Sequence, residues 1–306
     1  MPMTTAKNTK PCSLFFFKRK MTPKSVPEIF PERFSFYPPK KDRNAPESPK
    51  FAGVYTLKKS LGQHFLTDET ICRQVVDAVT HTPGMRLLEI GPGGGAISKY
   101  FAGWTDVEYK AYEVDAEKVT YLEAAFPQIK GKVILQDILT APLPWDEPFS
   151  VVGNFPYNIS SPILFKMLDW EPLVTEVTGM FQKEVARRVA SGPGSKDYGI
   201  LSVLMGAYFT AEYLFDVPPG AFNPPPKVMS GVVRFRNSGN PFGIEDRKSF
   251  KRLVKAAFNQ RRKTLRNALK GTLSPEALAA DQKMHLRAEQ LSVADFVELY
   301  QKWMGK

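Results

Sequence analysis

Cysteine and histidine are almost absent: Cys12, Cys72, His64, His81 and His285 are all that 306 residues contain. Two cysteines cannot form a disulfide framework, and none of the five stands at a metal-ligand spacing. An intracellular protein that holds no metal is the expectation. Long apolar runs are missing as well. The stretch "CSLFFFKRK" has only four consecutive large apolar residues, far short of the ~20 of a membrane helix or the roughly 7–15 of a secretory signal. A mitochondrial transit peptide is disfavoured because the neighbouring prolines break the amphipathic helix it would need.

Acidic residues are scarce at both ends of the chain. Residues 1–53 carry 11 Lys and Arg against 4 Asp and Glu, and residues 244–306 carry 14 against 7, whereas residues 54–243 carry 17 against 20. Basic segments suit a polyanionic partner such as nucleic acid, although a short basic run also serves as a plain solvated face. The first segment holds nine prolines and no apolar periodicity, too little burial to offset the entropy of ordering it. Residues 1–53 are therefore expected to form a disordered basic extension, or to lie upstream of the true start of translation.

From residue 86 the chain alternates between strand and helix patterns. "RLLEI" reads as a buried strand and "GPGGGAISKYFAG" as a glycine turn opening a helix. "VEYKAYEV" (strand), "DAEKVTYLEAAF" (helix), "KVILQD" and "FSVVGN" (strands), "SPILFKMLDW" (helix) and "VTEVTGMF" (strand) follow. Such alternation predicts βαβ units and a parallel sheet covered on both faces, with ligands at the carboxyl ends of the strands.

The strand ends carry the chemistry. Gly91 and Gly93 in "EIGPGGG" let a ligand approach the backbone, and Glu113 closes the next strand 22 residues after Gly91, placed to accept from two ribose hydroxyls. Asp137 ends the third strand, where its carboxylate can accept from an adenine amino group or cap the following turn. Asn154 ends the fourth strand in "VVGNFPYNIS". Its amide oxygen and the carbonyl of Pro156 are two acceptors at one spot, which fits an exocyclic NH2 group. Tyr157 adds a flat face for base stacking, worth about 1–3 kcal/mol per base. The pattern reads as a nucleoside cofactor beside a pocket for an adenine or cytosine amine. An ordinary glycine turn and a proline turn with Tyr157 in the core are the plain alternatives.

Six ordered blocks, "KKSLGQHFL", "LEIGPGGG", "GNFPYNISSPILFKML", "FQKEVARRV", "AFNPPPKVMSGVVRF" and "AFNQRRKTLRNALK", resemble the ribosomal RNA small-subunit adenine dimethyltransferases, the kasugamycin-sensitivity family. The match runs from about Tyr55 to the C-terminus. The resemblance implies an α/β fold: a class I (Rossmann-like) S-adenosylmethionine-dependent methyltransferase domain over residues 54–243, with a small helical RNA-docking domain over 244–306. It implies S-adenosyl-L-methionine as methyl donor, no metal, and two adjacent adenines near the 3′ end of 16S ribosomal RNA as acceptors. A monomeric cytoplasmic enzyme acting on a pre-30S particle, away from membranes, is the implied setting. By position, the family's cofactor contacts fall on His64, Leu66, Gly91, Glu113, Asp137 and Asn154. His64 departs from the Asn found in many members. Asn154, Pro156 and Tyr157 take the catalytic positions, and Phe222 matches the aromatic that faces Tyr157 across the target base.

For RNA docking, an unbroken helix over residues 248–270 would set Lys248, Lys251, Arg252, Lys255, Arg262, Lys263, Arg266 and Lys270 on one arc of roughly 120°. Of these, Lys251, Lys255, Arg262, Lys263 and Arg266 are the candidate RNA contacts. Arg261 falls among the apolar positions, which implies either a break near Asn259 or a partner elsewhere. Three rival readings share parts of the pattern. One is a large-subunit adenine methyltransferase of the macrolide-resistance type. The second is a non-catalytic assembly or transcription factor on the same fold. The third is a nicotinamide dehydrogenase, disfavoured because no catalytic His or Tyr-x-x-x-Lys pair accompanies the glycines.

Overall fold

The strand and helix periodicities reappear in order in the computed structural model, which describes residues 64–304. The extension expected over residues 1–53 lies outside the described residues. A short strand β1 (Phe65–Leu66) leads into α1 (Glu69–Asp77), followed by β2 (Arg86–Ile90), α2 (Ser98–Phe101), β3 (Glu108–Glu113), α3 (Ala116–Ala125), β4 (Val133–Leu135), β5 (Phe149–Asn154), α4 (Ser160–Asp169) and β6 (Val174–Gln182). Next come α5 (Lys183–Val189), α6 (Ile200–Gly206), β7 (Phe209–Val217), β8 (Phe222–Asn223) and β9 (Ser230–Asn237). The chain then turns helical, with α7 (Arg247–Asn259), α8 (Leu265–Ala268), α9 (Pro275–Ala280) and α10 (Val293–Trp303). Helix starts follow capping chemistry. Asp68 accepts from the backbone of Thr70 and Ile71, and Ser292 and Asp295 cap each other's backbone N–H at the start of α10. No helix among the described residues is long and apolar enough to cross a membrane.

Seven strands form the main sheet in the order β4-β3-β2-β5-β6-β9-β7. The run from β4 to β6 is parallel, as the alternation requires, but β9 is antiparallel to both of its neighbours. The strands marked by the sequence alternation, β2 to β6, are all parallel as expected, and β9 and β7 lie beyond that alternation. Residues 218–229, which join β7 to β9, hold only a short turn and β8 and supply no crossover helix. The reversal has a consequence for the site: β9 begins at the pole where the parallel strands end, and Ser230 sits opposite Gln182 of β6 and Val217 of β7. Because β2 lies between β3 and β5, the strand order reverses there, and a crevice opens at their carboxyl ends.

Side chains alternate to the two faces of the sheet. Leu88, Ile90 and Val151 enter one apolar layer and Leu87 and Val152 the other. The first layer continues without interruption from α4 and α6 into Phe250, Leu253 and Val254 of α7 and Phe296 of α10, so the C-terminal helices share the core of the sheet.

The single helix expected over residues 248–270 is two helices. α7 ends at Asn259, residues 260–264 turn, and Thr264 precedes the short α8. Arg261 explains the interruption. Its guanidinium pairs with Glu289 at 2.8 Å and donates to the Lys196 carbonyl at 2.5 Å, contacts a continuous helix would not let it reach. The eight basic residues therefore do not share one helical arc.

Glu89 is a buried carboxyl in the middle of the sheet, 1% exposed, accepting from Ser98 Oγ at 2.9 Å and Tyr109 Oη at 2.5 Å. Burial pushes its pKa from 4.5 up to about 7. Between those values the folded chain binds more proton than the unfolded one, so stability from this group falls as pH rises from about 4.5 to about 7 and is level above. Glu89→Gln should remove that slope: thermal melts at pH 5 and pH 8 should differ less for the variant than for the parent. Equal differences would show that Glu89 does not titrate in this window.

Candidate functional site

A cavity of about 370 Å³ opens at the carboxyl ends of β2, β3, β4 and β5. Its floor is the glycine turn after β2. Gly91 and Gly93 have φ of +68° and +58°, a region that side-chain-bearing residues rarely adopt. A Cβ at Gly93 would also stand 3.4 Å from the ring of Phe65, so the turn is tight beneath β1. Glu113, 4% exposed, is the last residue of β3. Its Oε2 accepts from Gly93 N at 3.1 Å, and its Oε1 from the N–H groups of Val114 and Asp115 at 3.0 and 3.1 Å. A carboxylate offers about four acceptor positions, so with three donors among the described residues Oε2 retains one, on a residue that lines the cavity. Asp137 is exposed two residues beyond the end of β4, and its Oδ1 accepts from Leu139 N at 2.9 Å, the turn-capping arrangement foreseen as its alternative role; its Oδ2 accepts no hydrogen bond among the described residues.

β1 roofs this end. His64, Phe65 and Leu66 all line the cavity, and the ammonium of Lys118 lies 5.1 Å above the Phe65 ring. β1 is held by antiparallel pairing to β8, with Leu66 opposite Phe222 and Phe65 opposite Asn223. Lys118 is not distinguished by sequence, and Phe65 lies within the block "KKSLGQHFL" without having been singled out beside His64 and Leu66.

The opposite end is built by the turn after β5. Asn154 Nδ2 donates to the His64 carbonyl at 3.3 Å, which leaves Oδ1 as the acceptor of that amide. The Pro156 carbonyl requires a correction: it accepts from Ile159 N at 3.2 Å and from Ser160 Oγ at 3.1 Å. Both of its lone pairs are thus used in starting α4, and it is no second acceptor for an amine. The carbonyl of Phe155, one residue earlier, accepts no hydrogen bond among the described residues.

Tyr157 lines the cavity, and its hydroxyl, pushed above its ordinary pKa by burial, is hydrogen-bonded to Ser230 Oγ. Phe222 does not face it. The pairing of β8 with β1 carries Phe222 into the lower core layer, 4% exposed and outside the cavity wall. The ring stacked near Tyr157 is His64, with centroids 5.7 Å apart and planes 28° apart. His64 Nδ1 lies 2.8 Å from the Pro224 carbonyl oxygen, which can only accept, so Nδ1 carries a hydrogen. Apart from Phe222, the cofactor and catalytic positions expected from sequence all meet in this one cavity wall.

Of the basic candidates, Lys251 and Lys255 of α7 lie over the ring of Phe165 at 4.8 and 5.3 Å, and Lys251 also approaches Asp169 at 3.9 Å. Arg262 and Lys263 are exposed in the turn after α7 and Arg266 is exposed on α8. Among the described residues, no cluster of three or more His, Cys, Asp or Glu side chains is gathered to hold a metal ion.

A family model described as ribosomal RNA adenine dimethylase matches residues 54–304. The ribosomal RNA small subunit methyltransferase A of Cytophaga hutchinsonii is 47% identical over 253 residues, covering 81% of this chain and 98% of that protein. Its counterpart from Phocaeicola vulgatus is 48% identical over 252 residues, covering 81% and 89%. A solved dimethyladenosine transferase from Plasmodium falciparum shares the fold with a TM-score of 0.69 at 22% identity, covering 78% of this chain and 97% of that one. The 23S rRNA methyltransferase ErmE aligns with a TM-score of 0.57 at 26% identity, covering 77% and 98%. With a sheet of the class I methyltransferase kind and a family match across all the described residues, the chain belongs to the ribosomal RNA adenine dimethylase family.

Proposed function

We propose that this protein transfers methyl groups from S-adenosylmethionine to N6 of two adjacent adenines near the 3′ end of 16S ribosomal RNA, as a cytoplasmic monomer acting on a pre-30S particle. The carrying observation is one cavity that joins the Glu113 and glycine-turn end to the Asn154 and Tyr157 end. The relatives named for small-subunit methylation, at 47–48% identity, favour this substrate over the large-subunit RNA of ErmE, because the shared fold alone does not separate the two.

The residues suit the methyl donor. The left-handed glycines clear the floor, Glu113 keeps an acceptor for a ribose hydroxyl, and Leu66 and His64 close the roof. Bound there, S-adenosylmethionine supplies an activated methyl group on a sulfonium sulfur. The chain's own part is positioning. Asn154 Oδ1 accepts one N–H of the adenine amine, and the Phe155 carbonyl takes the second role first expected of Pro156. Accepting from both N–H bonds draws the nitrogen lone pair out of conjugation with the ring and aims it at the donor. No general base is needed before attack, since the nitrogen proton becomes strongly acidic once the methyl has arrived and leaves to water. Orientation of this kind can supply roughly 7–11 kcal/mol of the barrier. Tyr157 offers the stacking face that offsets part of the unstacking of the base. Residues 54–243 carry this chemistry, and the basic surface of residues 244–306 docks the RNA through phosphate contacts that position without reading sequence.

Asn154→Ala should hold cofactor affinity within a few-fold by calorimetry and lower single-turnover methylation of unmodified 30S particles by orders of magnitude; an unchanged rate would refute the amine-acceptor role. Glu113→Ala should abolish cofactor binding, and micromolar-range binding by that variant would remove the ribose assignment. Reversing Arg262, Lys263 and Arg266 to Glu should weaken particle binding and flatten its salt dependence by about 0.7 in log–log slope for each phosphate no longer neutralised. Melting temperature and cofactor affinity should stay put, because all three side chains are exposed. A salt slope equal to the parent's would mean that the RNA grip lies elsewhere.

A further inference from the structure

The block "NPPPKVMS" touches the base end of the cavity twice. The Pro224 carbonyl holds His64, and Ser230, the last residue of the block, is hydrogen-bonded through Oγ to the Tyr157 hydroxyl. We propose that Ser230 is a positioning residue for the methyl transfer, fixing the place of the Tyr157 ring on which the target adenine stacks. The proposal rests on the reading of Tyr157 as that stacking face.

The two partners differ in how firmly they are held. Ser230 is fully buried and opens β9, laddered to β6 on one side and β7 on the other. Gly231 beside it packs beneath the Tyr213 hydroxyl and against Ala186, where a Cβ would collide. This stretch of backbone is therefore fixed. Tyr157 lies in a short 3-10 turn between β5 and α4 with no strand ladder of its own, so the place of its ring depends on side-chain contacts. Oη lies on the Cβ–Cγ axis, so a bond there restrains χ1 and with it the place where the ring stands, while rotation about χ2 is left to the packing around the ring. Serine is also an unfavourable choice for a fully buried strand position unless its hydroxyl is partnered, and here the partner is the cavity's aromatic platform.

Stacking alone makes no use of the phenolic oxygen, since phenylalanine has the same face. Restraint through Ser230 requires it. Ser230→Ala and Tyr157→Phe should therefore each lower kcat on unmodified 30S particles by roughly tenfold, the size of one net hydrogen bond removed from the productive geometry. KM for the particle and cofactor affinity should be unchanged, because docking and the cofactor end are untouched. The double variant should be no slower than either single one. Tyr157→Phe leaves the core intact, so it tests the bond even if Ser230→Ala folds poorly. A kcat for Tyr157→Phe equal to the parent's, or kcat decreases that add in the double variant, would overturn the proposal. Tyr157→Ala separates the two levels. A large kcat decrease there with none in Tyr157→Phe would reject Ser230 and keep the stacking face; no decrease in Tyr157→Ala would reject both.

Discussion

Burial of the Phe155 ring is the constraint on which the site turns. The ring lies between the backbones of Gly153 and Gly179, where a Cβ on either glycine would come within 2.6 Å of it, and meets Phe181 edge-on at 5.1 Å. Completely removed from water, it contributes on the order of 1.5–3 kcal/mol of burial. It also ends β5 at a defined residue. Proline next in sequence has no N–H for a ladder and cannot continue the strand. The chain therefore leaves the sheet at Asn154 and enters α4 through the turn at Tyr157. An amide, a proline and a tyrosine stand side by side because a buried aromatic pins the point of departure. Larger residues at positions 153 and 179 would move Asn154 and Tyr157 together, although neither glycine touches the cavity.

A second constraint couples the two ends of that cavity. The β1–β8 ribbon pairs Leu66 with Phe222, and Thr67 N donates to the Ala221 carbonyl at 2.8 Å. Residues 64–66 roof the glycine turn, while the strand opposite runs on into Pro224, whose carbonyl orients His64 against Tyr157. Asn154 closes the circuit by donating to the His64 carbonyl. One backbone pairing and two hydrogen bonds thus connect the glycine-turn end of the cavity to the Asn154 and Tyr157 end.

Much of this was legible in the sequence because it depends on local pattern. Strand periodicity and the glycine turn are properties of short windows, and βαβ logic places Glu113, Asp137 and Asn154 at or near strand ends without any knowledge of packing. What was not legible depends on pairings between distant segments. The reversed β9 follows from a connection with no crossover helix. Phe222 is drawn into the core by its register against Leu66 of β1, far away in the chain. Pro156 is denied its expected role by Ile159 and Ser160, since the first turn of a helix needs acceptors for its own donors. Ser230 carried no signal of its own within the block "AFNPPPKVMSGVVRF", and its place beside Tyr157 appears only once β9 is known to run backwards.

Arg261 and Arg262 show how adjacent like charges come to differ. Helical periodicity placed Arg261 on the apolar side and Arg262 on the basic arc, and a continuous helix would have buried an unpaired guanidinium, a cost no short helix recovers. The chain breaks instead. Arg261 pairs with Glu289 and reaches the carbonyls of Ser195 and Lys196, tying the turn after α7 to the loop before α6, while Arg262 and Lys263 are left exposed on the outside of that turn. The pairing of one arginine thereby fixes where its neighbours present their charge. On the docking role proposed for Arg262 and Lys263, a backbone already set in place leaves less conformational freedom to be ordered when a phosphate backbone arrives.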